Sequence, residues 1–230
     1  MSIAENIEKI KKEIGAHKTK LIVVSKTQSL EAIQEVLATG HKILGENHVQ
    51  EMVEKWEVLP RDIEWHMIGH LQSNKVKFIA PFVSLIHSVD SFKLLKEIHK
   101  QGKAHNRVLD CLLQVHIAEE ETKFGFLHEE IIEMLNKEEW KELNFVNIRG
   151  LMAIASNTTN EKQIESEFYE FRSFFEGVKI SYFRKNEAFD QLSLGMSSDY
   201  KIALENGSTL IRIGSSIFGK REIKPKKPEN

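Results

Sequence analysis

The stretch Thr209-Leu210-Ile211-Arg212-Ile213-Gly214-Ser215-Ser216-Ile217-Phe218-Gly219 decides the fold. Its first half is a run of apolar and β-branched residues that reads as a strand, and its second half is a glycine–serine turn opening a helix. Upstream, Gly195-Met196-Ser197-Ser198-Asp199-Tyr200 closes an earlier strand and leads into a helix from Ser198 that stops at Gly207. Strand, helix and strand in that order imply parallel pairing. The turn offers unpaired N–H groups and the positive end of a helix dipole, a seat suited to a phosphate, and Arg212 sets a cation two residues before the glycine. If Thr209–Gly214 is the last of eight strands, its end is where barrel enzymes most often hold phosphate.

Working outward, the chain supplies those eight strands: Lys20–Lys26, Lys42–Glu46, Glu64–Gly69, Leu85–Val89, Leu109–Ile117, Asn147–Ala153, Leu192–Met196 and Thr209–Ile213. Helical patterns lie between most of them. Ser29 opens one through Ala32, Ile33, Val36 and Leu37, followed by Gly40; Ser91 opens another through Leu94, Leu95 and Ile98, closed near Gly102. Asn160 precedes a long one with Ile164, Phe168, Phe171 and Phe175, ending at Gly177. An extra helix comes first, Ser2 to Gly15, with its stripe at Ile3, Ile7, Ile10 and Ile14 and Ser2 and Glu5 spaced as a capping box. The fold class is therefore α/β, a single-domain (β/α)8 TIM barrel spanning 1–230, with its core at about 19–219 and a flexible tail from Lys220 to Asn230. An open doubly wound sheet is the competing architecture. Glu119-Glu120-Glu121 and Ser181–Phe189 read as loops on the rim.

At 230 residues, 41% apolar and 29% charged, the chain can bury a core, and its net charge of -2 provides no strong pull toward nucleic acid or an anionic membrane. No run of about 18 apolar residues and no secretory leader is visible, so a cytoplasmic location is expected. The single cysteine, Cys111, excludes an internal disulfide and sits in an apolar run as a packed side chain. Five basic residues and two prolines in the last eleven positions read as a solvated end.

In a barrel the chemistry gathers where strands end. Period 2 places Ile22, Val24 and Lys26 on one side of the first strand, so a lysine follows two buried residues at the mouth. Partly desolvated there, its amine is able to form a Schiff base, although a strand-end lysine by itself is often only a rim residue. Leu210, Arg212 and Gly214 share a side of the strand that closes against the first. Lys26, Arg212 and the Gly214-Ser215 turn then converge, with Ser197 able to add a hydroxyl. A phosphorylated aldehyde, pyridoxal 5′-phosphate, satisfies the whole set. Competing chemistry is poorly supported. His66 and His70, four apart on a strand, lie roughly 13 Å apart, too far to share a metal ion. A Gly-x-Ser-x-Gly elbow is absent, and so is a phosphate loop of the form Gly-x-x-x-x-Gly-Lys-Ser/Thr, since Arg221 follows Gly219-Lys220.

The motifs Val23-Val-Ser-Lys26-Thr27, Gly45-Glu-Asn-His-Val-Gln-Glu51, Trp65-His-Met-Ile-Gly-His-Leu-Gln-Ser-Asn-Lys75, His87-Ser-Val-Asp90, Gly150-Leu-Met152, Leu194-Gly-Met-Ser197 and Arg212 to Gly219 occur in that order. Together they resemble the pyridoxal phosphate homeostasis proteins, alanine-racemase-like barrels, over residues 5 to 221. The resemblance implies the alanine racemase N-terminal type of barrel, with Lys26 as the Schiff-base lysine and Arg212 facing the pyridine nitrogen. It also implies Ser197, Gly214 and Ser215 as the phosphate cradle and Asn47 as a lining residue. Leu194 and the Ser215-Ser216 pair depart modestly from the family pattern, and Ser181–Gln191 matches nothing in it.

An arginine at the ring nitrogen weakens the cofactor as an electron sink. Only 16 residues follow Gly214, short of the second domain on which alanine racemases rely. Of the three tyrosines, Tyr169, Tyr182 and Tyr200, only Tyr182 looks able to reach the site. The expected function is thus intracellular vitamin B6 cofactor homeostasis by a non-enzymatic, monomeric binding protein that supplies or buffers the cofactor, with apo-enzymes as partners. The alternative is a weak amino-acid racemase.

Overall fold

In the computed structural model, which describes residues 2–120 and 124–219, eight parallel strands close into one barrel. They are β1 (Lys20–Val24), β2 (Ile43–Glu46), β3 (Glu64–Met67), β4 (Leu85–Val89), β5 (Leu109–Val115), β6 (Val146–Ala153), β7 (Gln191–Ser193) and β8 (Leu210–Ile213). Closure runs through Lys20 to Val23 of β1 against Leu210 to Ile213 of β8, with Ile22 opposite Arg212. That closure excludes the open doubly wound sheet.

Helix α1 (Ile3–Ile14) precedes the barrel, and one helix follows each strand in turn: α2 (Leu30–Ala38), α3 (Val49–Val58), α4 (Val76–Ile79), α5 (Phe92–Ala104), α6 (His128–Asn136), α7 (Glu161–Tyr182), α8 (Tyr200–Glu205) and α9 (Ser215–Phe218). The caps expected at Ser2, Ser29 and Ser91 form, whereas Asn160 precedes α7 without a side-chain bond to it. Ser2 and Glu5 close a capping box on α1, and the hydroxyls of Ser29 and Ser91 accept from Ala32 N and Leu94 N at the starts of α2 and α5.

Two apolar layers hold the barrel. The larger lies between strands and helices and includes Ile7, Ile33, Trp65, Phe168 and Phe171. The smaller fills the barrel interior with Ile22, Leu85, Leu112, Met152 and Leu210. Cys111 is fully buried in the larger layer, where burial pushes its thiol well above its ordinary range.

Several strands end one or two residues short of the sequence reading, β1 at Val24, β3 at Met67 and β5 at Val115 among them, and three further boundaries differ for a visible reason. The seventh strand stops at Ser193 rather than Met196, because Gly195 turns the chain at φ 89. The helix expected from Ser198 begins at Tyr200 after Asp199, whose carboxylate accepts from Met196 N at 2.6 Å and shapes the turn. Helix α7 continues through Gly177 to Tyr182. The loop expected from Ser181 therefore begins two residues later, and it is anchored by Phe183, which stacks on Phe189 at 4.1 Å. Glu121 and the tail from Lys220 to Asn230 lie outside the described residues.

Strand pairing makes Gly150 indispensable, whereas Gly177 in α7 is unconstrained. A Cβ on Gly150, at φ 152, would stand 1.8 Å from the Gln191 carbonyl oxygen of the adjacent strand, whereas one on Gly177 in α7 meets nothing within 4 Å. Gly150→Ala is expected to cost roughly 2–4 kcal/mol in urea unfolding. Gly177→Ala is expected to raise stability by about 0.5–1 kcal/mol in the same assay.

Candidate functional site

Strand β1 ends at Val24, and Lys26 follows in a tight turn whose backbone is clamped from outside the barrel. Lys55 of α3, buried to 6% exposure, donates its Nζ hydrogens to the Ser25 carbonyl at 2.6 Å and to the carboxylates of Glu46 and Glu51, each at 2.7 Å. Ser25 Oγ donates to the same Glu46 oxygen at 2.6 Å, and Thr27 N donates to Glu51. Thr27 holds φ 64, a conformation that a β-branched residue adopts only when its surroundings enforce it. The cluster thus fixes both residues flanking Lys26, and with them the point from which its side chain departs. Burial pushes the Glu46 carboxyl above its ordinary range, against the lowering effect of Lys55.

In the same cavity, Arg212 of the adjacent strand β8 is 4% exposed. Its Nη2 donates to the Ala153 carbonyl at 2.9 Å, and its Nη1 donates to Ser193 Oγ. Ser193 Oγ lies 3.0 Å from His87 Nδ1, and His87 Nε2 lies 3.0 Å from His66 Nδ1. A polar layer therefore crosses the barrel interior from β3 to β8, where barrels usually stack Val, Ile and Leu. Burial pushes His66 down to about 3 and His87 well below its ordinary value, so both are neutral at pH 7. Burial also lowers Arg212, to about 10, leaving it charged at pH 7.

The turn after β8 brings the third group. Ser197 Oγ accepts from Gly214 N at 3.2 Å and from Ser216 N at 3.4 Å, and Ser216 Oγ donates to the Ser197 carbonyl at 3.5 Å. Because α9 is a single turn, this anion seat rests on local N–H groups and hydroxyls more than on a helix dipole. Gly214 packs close to β1, where an added Cβ would stand 3.3 Å from the Val24 carbonyl oxygen.

All six residues expected from the sequence, Lys26, Asn47, Ser197, Arg212, Gly214 and Ser215, line one cavity of about 590 Å³ at the C-terminal end of the strands. That volume lies within the range of roughly 300–1,000 Å³ usual for small-molecule sites. Lys26 and Arg212 are the ionisable residues of its described lining. Asn47 Oδ1 is buried with no hydrogen-bond partner among the described residues, an amide kept available to a ligand. A second chamber of about 270 Å³, with His70, Gln114, His116 and Phe124, shares Asn47, Ile68 and Ile154 with the first. Among the described residues no group of three or more His, Cys, Asp or Glu is placed to hold a metal ion.

The structure corrects one expectation. Tyr182 does not reach the mouth; its hydroxyl donates to Asn136 Oδ1 at 2.7 Å, because α7 extends far enough to lay it against α6. Sequence reasoning also passed over Glu46, Glu51 and Lys55. Two of them stand inside the quoted Gly45–Glu51 motif, and the spacing of Glu51 and Lys55, four apart on a helix, was the available signal. His66 was weighed only against His70, whereas its partner is His87 on the next strand.

Residues 1–222 match the model of the alanine racemase N-terminal domain family. A pyridoxal phosphate homeostasis protein of Aquifex aeolicus is 40% identical over 209 residues, covering 90% of each chain. One of Escherichia coli K12 is 35% identical over 240 residues, covering 97% of this chain and 99% of the relative. The chain belongs to the pyridoxal phosphate homeostasis protein family. Its barrel is correspondingly similar to that of PipY from Synechococcus elongatus, solved with PLP bound (TM-score 0.85, 32% identity, 95% of this chain and 100% of that one). Likeness to a Clostridium difficile alanine racemase extends to the fold alone: TM-score 0.73 and 13% identity, over 96% of this chain and 57% of that one.

The buried imidazoles give this family member a defined acid response. In the unfolded chain His66 and His87 take up protons below their ordinary 6.5, whereas in the fold neither does until far lower. Stability is therefore undiminished above that value and falls as pH falls, by roughly 1 kcal/mol per histidine at pH 5.5. Glu46, raised by burial, works in the opposite direction nearer its ordinary 4.5. Urea unfolding at pH 7.5 and 5.5 is expected to show His66→Gln losing roughly 1 kcal/mol less than wild type between the two.

Proposed function

We propose that this chain is one barrel that binds pyridoxal 5′-phosphate through Lys26 and holds it for vitamin B6 cofactor homeostasis. The observation that carries this reading is the convergence, in one 590 Å³ cavity, of a clamped lysine, a buried arginine and the Gly214–Ser216 turn with the Ser197 hydroxyl. These groups match an aldehyde, a ring nitrogen and a phosphate respectively. The family membership and the PLP-bound PipY structure support the same ligand.

When bound, the cofactor would supply an aldehyde for condensation, and Lys26 is the residue whose amine would hold it covalently, with loss of water. The chain's own residues do the remainder. Lys55, Glu46 and Glu51 hold the Ser25–Thr27 backbone and set where the amine stands. The N–H groups of Gly214 and Ser216, now shared with Ser197 Oγ, are donors for phosphate oxygens, with Ser215 beside them. Asn47 brings an amide oxygen that has no hydrogen-bond partner among the described residues. Arg212 carries only donors, so as partner of the ring nitrogen it keeps that nitrogen unprotonated and weakens the ring as an electron sink.

Holding and release, without robust turnover, is the reading this lining supports. Racemisation needs a second acid–base group across the substrate from the lysine, and the described lining of the main cavity adds only Arg212. Tyr182 and Tyr200 are tied to Asn136 and Glu13, away from it. A monomeric barrel whose cavity lies at the strand ends serves to buffer the cofactor and pass it to apo-enzymes.

The test is the near-visible absorption of wild type and Lys26→Ala, before and after borohydride reduction. Wild type is expected to take up the cofactor, absorb, and become locked to it by reduction; Lys26→Ala is expected to lose the band and the lock completely. Sustained racemisation of a common amino acid by the purified wild type would overturn the carrier reading.

A further inference from the structure

A guanidinium buried this deeply needs a partner, and among the described residues no carboxylate lies within ion-pair distance of Arg212. Asp199 acts on it only from a distance. What touches it is neutral: the Ala153 carbonyl and the Ser193 hydroxyl. A lone hydroxyl is a weak anchor for a cation, so the groups behind Ser193 matter.

Proton counting fixes how they act. Ser193 Oγ has two partners, Arg212 Nη1 and His87 Nδ1, and arginine has nothing to accept with. The hydroxyl proton therefore goes to His87 Nδ1. A neutral His87 then carries its proton on Nε2 and donates it to His66 Nδ1, 3.0 Å away. Every bond in the row Arg212, Ser193, His87, His66 runs in the same direction, away from the guanidinium. A hydroxyl that donates to an imidazole is a better acceptor, and the aligned row strengthens each bond in it. All four residues are buried, at 5% exposure or less, so water does not substitute for any of them.

We infer that His87 is a positioning residue acting through Ser193, and that His66 holds His87 in the tautomer this requires, so that the row aims the remaining N–H donors of Arg212 at a heteroaromatic nitrogen in the cavity. The inference rests on the cofactor reading above. Two of the five guanidinium N–H groups are taken by Ser193 and Ala153, and Arg212 lines the cavity with donors to spare. Holding Nη1 and Nη2 from two strands, β7 and β6, leaves the guanidinium plane little freedom to turn.

The experiment compares wild type, Ser193→Ala, His87→Leu and His87→Gln as full-length chains. Three quantities are read: the affinity for pyridoxal 5′-phosphate, the pH midpoint of the near-visible band, and the melting temperature without cofactor. Ser193→Ala and His87→Leu are each expected to weaken binding about tenfold and to move the midpoint, since Nη1 loses its anchor. His87→Gln, whose amide both accepts and donates, is expected to stay within about threefold of wild-type affinity and to keep the midpoint. Ser193→Ala removes a single oxygen and carries the test by itself if His87→Leu does not fold. If Ser193→Ala binds cofactor as wild type does, with an unmoved midpoint and only a lower melting temperature, the row is mere core packing and the inference is overturned. A wild type that takes up no cofactor overturns the cofactor reading, and this inference with it. A binding wild type with indifferent variants overturns the inference alone.

Discussion

The pairing of β8 with β1 is the constraint on which the site depends. It sets Ile22 opposite Arg212, so the strand that ends in the lysine turn lies beside the strand that ends in the Gly214–Ser216 turn. Gly214 permits the close approach of the two turns, with Val24 just beneath it. Any strand between these two would carry the amine away from the anion seat. Barrel closure is therefore what makes one cavity of two strand ends.

Two polar clusters support that cavity, and they differ in kind. The Lys55 cluster lies outside the strands and fixes backbone: it holds the residues on either side of Lys26 and leaves the lysine side chain to the cavity. The histidine row lies inside the barrel and fixes a side chain. Both cost desolvation, and both are hydrogen-bonded at most of their polar atoms, Glu46 Oε2 being the exception, which is the condition under which buried polar groups are tolerated. The apolar layer of Ile22, Leu85, Leu112, Met152 and Leu210 lies beside the histidine row in the barrel interior and keeps that environment dry. Low dielectric and preformed donors together suit the mouth to holding a charged ligand.

The candidate site was legible to an unusual degree because its contacts lie at strand ends. Period 2 carries a residue from strand to mouth without knowledge of the neighbours, which is why Lys26 and Arg212 were expected at the mouth of the cavity that they line. Ser197, Gly214 and Ser215 were found because a glycine–serine turn after a strand presents N–H groups wherever it occurs. Tyr182 was misplaced for a local reason: Gly177 looked like a helix stop, but on the exposed face of α7 it costs the helix little, and the helix ran on. His66, His87 and Ser193 were not assembled because each is an unremarkable polar residue on its own strand. Their meaning lies only in lateral neighbours 21 and 106 positions apart along the chain.

By itself the sequence determined the alternation of eight strands with helices, the extra capped helix in front, and the residues standing at the strand ends. All of these follow from spacing within a few residues. Tertiary structure alone decided that the barrel closes, which imidazole meets which, that Arg212 is held by neutral partners, and that Lys55 reaches across to the Lys26 turn. The physical reason is that hydrogen bonds inside a barrel run laterally between strands, with a register set by packing around the whole ring. No local pattern encodes that register.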